Sequence, residues 1–176
     1  MVQVMLSLAS VDAVCRLDVS FDEHVPFTLE FSPMAGEACY WRAICGADTM
    51  FEVGVTREGR PKSMTMVGIN RELVTVSNEL APPSSVRSSF GCPIFDANYW
   101  ANDKTSFDSN FVDENVALRF LISRYSMRLF IGESRVAVGL DMDRCRFLFD
   151  DKNDLCGLEI GRLSLSEIDM LLHSLA

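Results

Sequence analysis

The stretch YSMRLFIGESRVAVGLDMDRCRFLFDDKNDLCGLEI, Tyr125 to Ile160, decides the fold, because its turns and its apolar alternation test one another. Strand side chains alternate between faces with a period of two, so a wrong turn throws apolar residues onto the wrong side. A two-residue turn at Gly132-Glu133, Gly first, pairs Leu129 with Val136, Met127 with Val138 and Tyr125 with Leu140. A turn at Met142-Asp143 then sets Leu140 against Cys145, Val138 against Phe147 and Val136 against Phe149. Closing the next loop over Asp151 to Asp154 sets Phe149 against Cys156, Phe147 against Leu158 and Cys145 against Ile160, with Arg146 opposite Glu159 on the outside. The turns agree on one apolar face, and the spacing predicts a four-stranded antiparallel meander.

Such a face must be covered, and the next residues offer a cover. Ser164-Leu165-Ser166-Glu167 has the form of a capping box, with Leu163 placed to staple onto Ile168. Leu165, Ile168, Leu171, Leu172 and Leu175 follow at helical spacing, which predicts an amphipathic helix lying on the meander.

Upstream, period-two alternation returns. Ala13, Cys15, Leu17, Val19 and Phe21 share one face of a predicted strand, and Phe27, Leu29 and Phe31 share one face of another. Cys39, Trp41, Ala43 and Cys45 face Phe51, Val53 and Val55 across a hairpin loop at Gly46-Ala47-Asp48-Thr49. Weaker strand patterns follow at 63–69 and 73–77. Between the halves, residues 77–113 carry Pro82, Pro83, Pro93 and many serines without periodicity, which predicts a long loop. The expected organisation is a single domain over 1–176: an N-terminal meander at 1–76, the loop at 77–113, and a C-terminal meander plus helix at 114–176. The class is β-rich α+β, with antiparallel meanders forming a sandwich or a partly open barrel and a C-terminal amphipathic helix.

Composition narrows the function classes. At 48% hydrophobic and 23% charged, the 176-residue chain is too apolar for a disordered one. No run reaches the ~18–20 apolar residues of a membrane-spanning helix, and no Lys or Arg precedes the apolar start at Met1 to Val11 as in a signal peptide. A cytoplasmic location without membrane contact is expected. The net charge of −9 opposes binding to a phosphate backbone, so nucleic acid is not an expected partner.

Sites of chemistry are sparse. The six cysteines, Cys15, Cys39, Cys45, Cys92, Cys145 and Cys156, contain no C-x-x-C pair, and reduced thiols without metal are expected. No P-loop, G-x-G-x-x-G, G-x-S-x-G or H-E-x-x-H occurs. The two histidines, His24 and His173, have structural readings in a turn and on a last helical turn. Asp141 and Asp143, and Asp150, Asp151 and Asp154, read as solvated turn residues. Neither an enzyme nor a cofactor is expected.

The segment from Phe90 to Trp100 is the best candidate for recognition, because residues 77–113 combine five carboxylates with two basic residues and several aromatics. Phe95, Asp96, Tyr99, Trp100, Asp103 and Asp108 are the expected partner-binding residues. The function expected is that of a small acidic protein that masks or neutralises a basic protein, in the manner of immunity proteins or secretion chaperones. The alternative is a barrel that binds a small apolar ligand among its nine Met and twelve Phe.

Overall fold

The structure, a computed structural model, describes residues 6–13, 15–33, 35–79, 86–96, 98 and 110–175. In chain order the strands are β1 (Leu8–Asp12), β2 (Arg16–Ser20), β3 (Phe27–Ser32), β4 (Ala38–Cys45), β5 (Thr49–Thr56), β6 (Pro61–Gly68), β7 (Val74–Val76), β8 (Arg87–Phe90), β9 (Cys92–Phe95), β10 (Phe111–Asn115), β11 (Leu118–Ile122), β12 (Met127–Ile131), β13 (Val138–Met142), β14 (Cys145–Phe149) and β15 (Leu155–Ile160). One helix, α1 (Leu165–His173), follows them.

A first sheet runs β10-β4-β5-β6-β3-β2 and a second runs β7-β11-β12-β15-β14-β13-β8, while β1 pairs with β9 alone. Most pairs are antiparallel, but β10 joins β4, β7 joins β11 and β8 joins β13 in parallel. The sheets are not closed into a barrel. Each is apolar on one face, and the two faces share one core, where Phe31 meets Phe147 with ring centroids 6.0 Å apart; Phe95 of the β1–β9 ladder joins that core, 6.5 Å from Phe149. The β-rich class with a C-terminal helix therefore stands.

The predicted strands of the N-terminal half form with their expected faces. Phe27, Leu29, Trp41, Ala43, Phe51, Val53 and Val55 are all fully buried, and Trp41 opposes Val53 as the hairpin requires. Ala13, by contrast, is exposed and precedes its strand, which starts at Arg16.

The C-terminal registers need three corrections. First, Gly132-Glu133 is not a hairpin turn: Leu129 opposes Phe120 and Leu158 and Met127 opposes Ile122 and Ile160, so neither Val136 nor Val138 is a partner of β12. Residues 132–137 instead cross two strands to reach β13, giving a Greek-key order, β12-β15-β14-β13. The displaced partner keeps Met127 and Leu129 inward, and it lets Arg128 bind the Glu159 carboxylate at 2.6 Å. Tyr125, expected inside, is 63% exposed. Second, the tight turn lies at Asp143-Arg144, with Met142 opposite Cys145 and Leu140 opposite Phe147. Asp143 takes a left-handed φ of 49°, which Asp tolerates better than most residues. A shift of two positions preserves the face. Third, Cys145–Ile160, Arg146–Glu159 and Phe147–Leu158 pair as expected, but a bulge between Leu148 and Phe149 sets Phe149 against Leu155 instead of Cys156.

Residues 77–113 are not the structureless connection that their composition predicts, since β8 and β9 lie within them and β10 begins there. Pro93 is tolerated because β9 belongs to a two-stranded ladder, where one side needs no donor. Gly59 docks this ladder onto the β5–β6 turn. It has φ of 83°, it accepts the Phe95 N–H at 2.8 Å, and an added Cβ would lie 2.0 Å from the Phe95 carbonyl oxygen.

The capping box of α1 is present in both directions. The helix, however, is not the main cover of the second sheet; that role falls to the first sheet. Leu171 is fully buried, Ile168, Leu172 and Leu175 pack on the core, and Leu175 bridges to Ile69, so α1 packs beside the end of β6. Leu165 is 77% exposed. Arg144 fastens the first turn of α1 with a bidentate pair to Glu167, at 2.7 and 3.0 Å, which holds that carboxyl below its ordinary range.

These placements fix a stability series. Phe147→Ala empties the inter-sheet core and is expected to cost about 3–5 kcal/mol, Ser164→Ala about 1 kcal/mol as a lost cap, and Leu165→Ala no more than ~0.5 kcal/mol. Urea unfolding of the three variants checks the order, and a Leu165→Ala loss approaching that of Phe147→Ala would contradict the face assignment.

Candidate functional site

Of the residues expected to bind a partner, Phe95 and Asp96 lie among the described residues. Phe95 is 1% exposed and packed on Phe149, so it is a core residue, and the expectation for it is corrected. Asp96 is exposed; its N–H donates to the Ser7 carbonyl and its carboxylate accepts the Asn98 N–H at 2.9 Å. Tyr99, Trp100, Asp103 and Asp108 lie outside the described residues.

The end of the same segment does reach a distinctive surface. β10 pairs in parallel with β4, setting Phe111 opposite Tyr40 and Asp113 opposite Arg42 on the outer face of the first sheet. The Tyr40 and Phe111 rings stack at 5.3 Å, and the Arg42 guanidinium lies 4.3 Å above the Phe111 ring. Arg42 also binds Asp113 at 2.6 Å. Tyr40 lies flat because its strand neighbour is Gly54, where an added Cβ would come within 3.0 Å of the ring. The result is an aromatic ledge, with Phe111 still 43% exposed.

Beside the ledge the sheet is acidic. Glu52 stands next to Arg42 in register, yet Arg42 gives its hydrogen bond to Asp113 across the other strand. Glu30 sits on β3, and Thr65, Ser63 and Thr28 occupy the outward positions around these two carboxylates. Asp18 is taken by Arg16 at 3.0 Å. Among the described residues, neither Glu52 nor Glu30 has a hydrogen bond or an ion pair. Burial raises the Glu52 pKa above its ordinary value; Arg42 works against the rise and Asp113 adds to it.

The rest of the described surface offers less. A depression of about 710 Å³ is lined by Asn78, Glu79, Ser123, Arg124, Tyr125 and Ser126. The Ser123 hydroxyl is already committed to Ser126 at 2.9–3.2 Å, and the lining gathers no apolar wall. The His24 backbone N–H donates to the Asp22 carboxylate, and His173 Nδ1 lies 2.7 Å from the Asp169 carbonyl oxygen. Asp150 is buried and organises its turn by accepting the N–H groups of Lys152 and Asp154. The six cysteines are free, and burial pushes the Cys145 and Cys156 thiols up to about 12, which keeps them protonated and unreactive. Among the described residues no group of His, Cys, Asp and Glu is placed to hold a metal ion.

Sequence reasoning missed Tyr40, Arg42, Glu52 and Glu30, because outward strand positions read as ordinary solvated ones. Their significance comes from the parallel β10–β4 pairing, which joins residues 71 positions apart, as Arg42 and Asp113 are. Comparison with protein-family models and with curated proteins finds no match for this chain.

The charge state of Glu52 is open to direct measurement. A carboxyl with a raised folded-state pKa lends stability that is full below the ordinary value of 4.5 and is lost as pH rises through the folded value. Glu52→Gln is therefore expected to match the parent in acid and to exceed it in stability at neutral pH. Urea unfolding at both pH values checks this, and a Gln variant that is weaker at neutral pH would contradict it.

Proposed function

We propose that the chain is an acidic protein-binding protein that receives a basic partner on the outer face of its first sheet and thereby masks it. The observation that carries this reading is the pair Glu30 and Glu52 beside the Tyr40–Phe111 ledge, two carboxylates that form no ion pair among the described residues, the neighbouring Arg42 being bound to Asp113. A Lys or Arg side chain of a partner would pair with these carboxylates, while the exposed Phe111 ring supplies apolar area with few torsions to freeze. The overall charge of −9 favours encounter with a basic surface. Recognition rather than catalysis fits a surface whose described titratable groups do not converge on a cleft. Among the described residues no helix is long and apolar enough to cross a membrane, and six free thiols suit a reducing compartment such as the cytosol. The apolar-ligand alternative loses its barrel lumen, since the two sheets stay open and their inward Phe and Met side chains pack on one another.

The test compares the parent protein with a Glu30→Lys, Glu52→Lys double variant, each immobilised and exposed to a native extract of the source cells. Basic proteins retained by the parent are expected to be lost by the variant and to bind the parent less at high salt. For a partner so identified, Phe111→Ala is expected to speed dissociation about 30-fold, as for a hot spot of about 2 kcal/mol. Retention that is indifferent to the double variant would overturn the reading.

A further inference from the structure

The second sheet ends on β8, and all four of its residues are exposed. The ladder to β13 fixes which backbone groups remain open. The Arg87 N–H donates to the Ala137 carbonyl at 3.2 Å and the Gly91 N–H to the Asp141 carbonyl at 3.0 Å. In a parallel ladder alternate residues of a strand address the same neighbour, so Arg87, Ser89 and Gly91 face β13 while the N–H and C=O groups of Ser88 and Phe90 point away from the sheet. No backbone group of a described residue pairs with them. Phe90 is 81% exposed, the highest value among the large hydrophobic side chains described. An open edge with an apolar side chain is a template for a further strand.

We propose that β8 pairs with β8 of a second copy of this chain, antiparallel about a two-fold axis through Ser89, so that two seven-stranded sheets become one. The outward groups are self-complementary in this register. Ser88 lies opposite Phe90 of the partner subunit, and Phe90 opposite Ser88 of the partner subunit, so each pair exchanges both of its N–H···O bonds. An axis normal to the sheet keeps the apolar inner faces of both copies on the same side. The two Phe90 rings become diagonal neighbours, at roughly 7–8 Å between backbones, which is within reach of aromatic side chains. Arg87 is the only ionic residue of β8, and it falls opposite Gly91 of the partner subunit, so no like charges face one another directly across the ladder. The two Arg87 side chains stand at opposite ends of the shared ladder. So short an edge buries less than the ~800 Å² per partner of a standard interface, and association is therefore expected to depend on concentration.

Sedimentation equilibrium of the whole chain over a wide concentration range is expected to show a monomer–dimer transition. Phe90→Asp, at an exposed position, is expected to abolish the transition while leaving the circular dichroism spectrum and unfolding midpoint of the protein unchanged. A Ser89→Cys variant places its thiols across the axis at a non-hydrogen-bonded pair, a spacing that suits a disulfide. Under mild oxidation it is expected to cross-link to itself through position 89, as mapped by mass spectrometry. Thr75→Cys, on the opposite edge of the sheet, is the control and is expected not to cross-link. A protein that stays monomeric at every concentration, or a dimer that survives Phe90→Asp and leaves position 89 uncross-linked, would overturn the proposal; in the first case the edge is left to a strand from a different protein.

Discussion

Everything in this molecule depends on two large apolar sheet faces that bury against each other. Phe27, Leu29, Phe31, Trp41, Phe51, Met64 and Met66 from one sheet, and Phe120, Met127, Leu129, Leu140, Phe147 and Leu158 from the other, occupy a single core. At roughly 1.5–3 kcal/mol per large side chain, burial on this scale outweighs what any single ion pair on the surface contributes. A nine-residue helix is too small to serve as the cover. It is left to pack beside the core, with Leu171 inside and Leu165 in solvent.

This constraint explains which parts of the fold were legible in the sequence. Alternation reports the face of a residue, and faces were read correctly for Trp41, Phe51, Phe147 and Ile160, as was the cap at Ser164. Alternation does not report the neighbour. Moving the partner of Leu129 from Val136 to Leu158, or the turn from Met142 to Asp143, still leaves Leu129, Leu140, Phe147 and Leu158 inward, so their alternation is equally satisfied by the wrong order and the right one. Only a long-range term separates them, such as the Arg128–Glu159 pair across two strands 31 residues apart. The strands hidden in residues 77–113 were illegible for a different reason: β8 is exposed on every position and therefore has no alternation to read.

The surface chemistry follows from the same division. Once one face of the first sheet is committed to the core, its other face is free to vary, and the parallel arrival of β10 beside β4 concentrates aromatic and acidic groups there. Residues 77–113 were expected to hold the recognition element as a loop. Their last residues instead enter the sheet, where rigid backbone holds Phe111 and Asp113 in register with Tyr40 and Arg42. A surface carried on paired strands gives up the adaptability of a loop and would lose less entropy on binding.

The pairing of Leu6 to Leu8 with residues 153–155 bears on how the chain comes together. Leu8 donates to the Asn153 carbonyl, Leu155 donates to the Leu6 carbonyl, and Ser7 bonds Asp154. The first described residues thus gain their partners only after residues 153–155 are available, and the first sheet likewise waits for β10. Long loops must close before these contacts reward them, which places the molecule among the slow folders of high contact order. During synthesis, β2 to β6 emerge with their apolar face uncovered, and they depend on the later arrival of the second sheet to hide it.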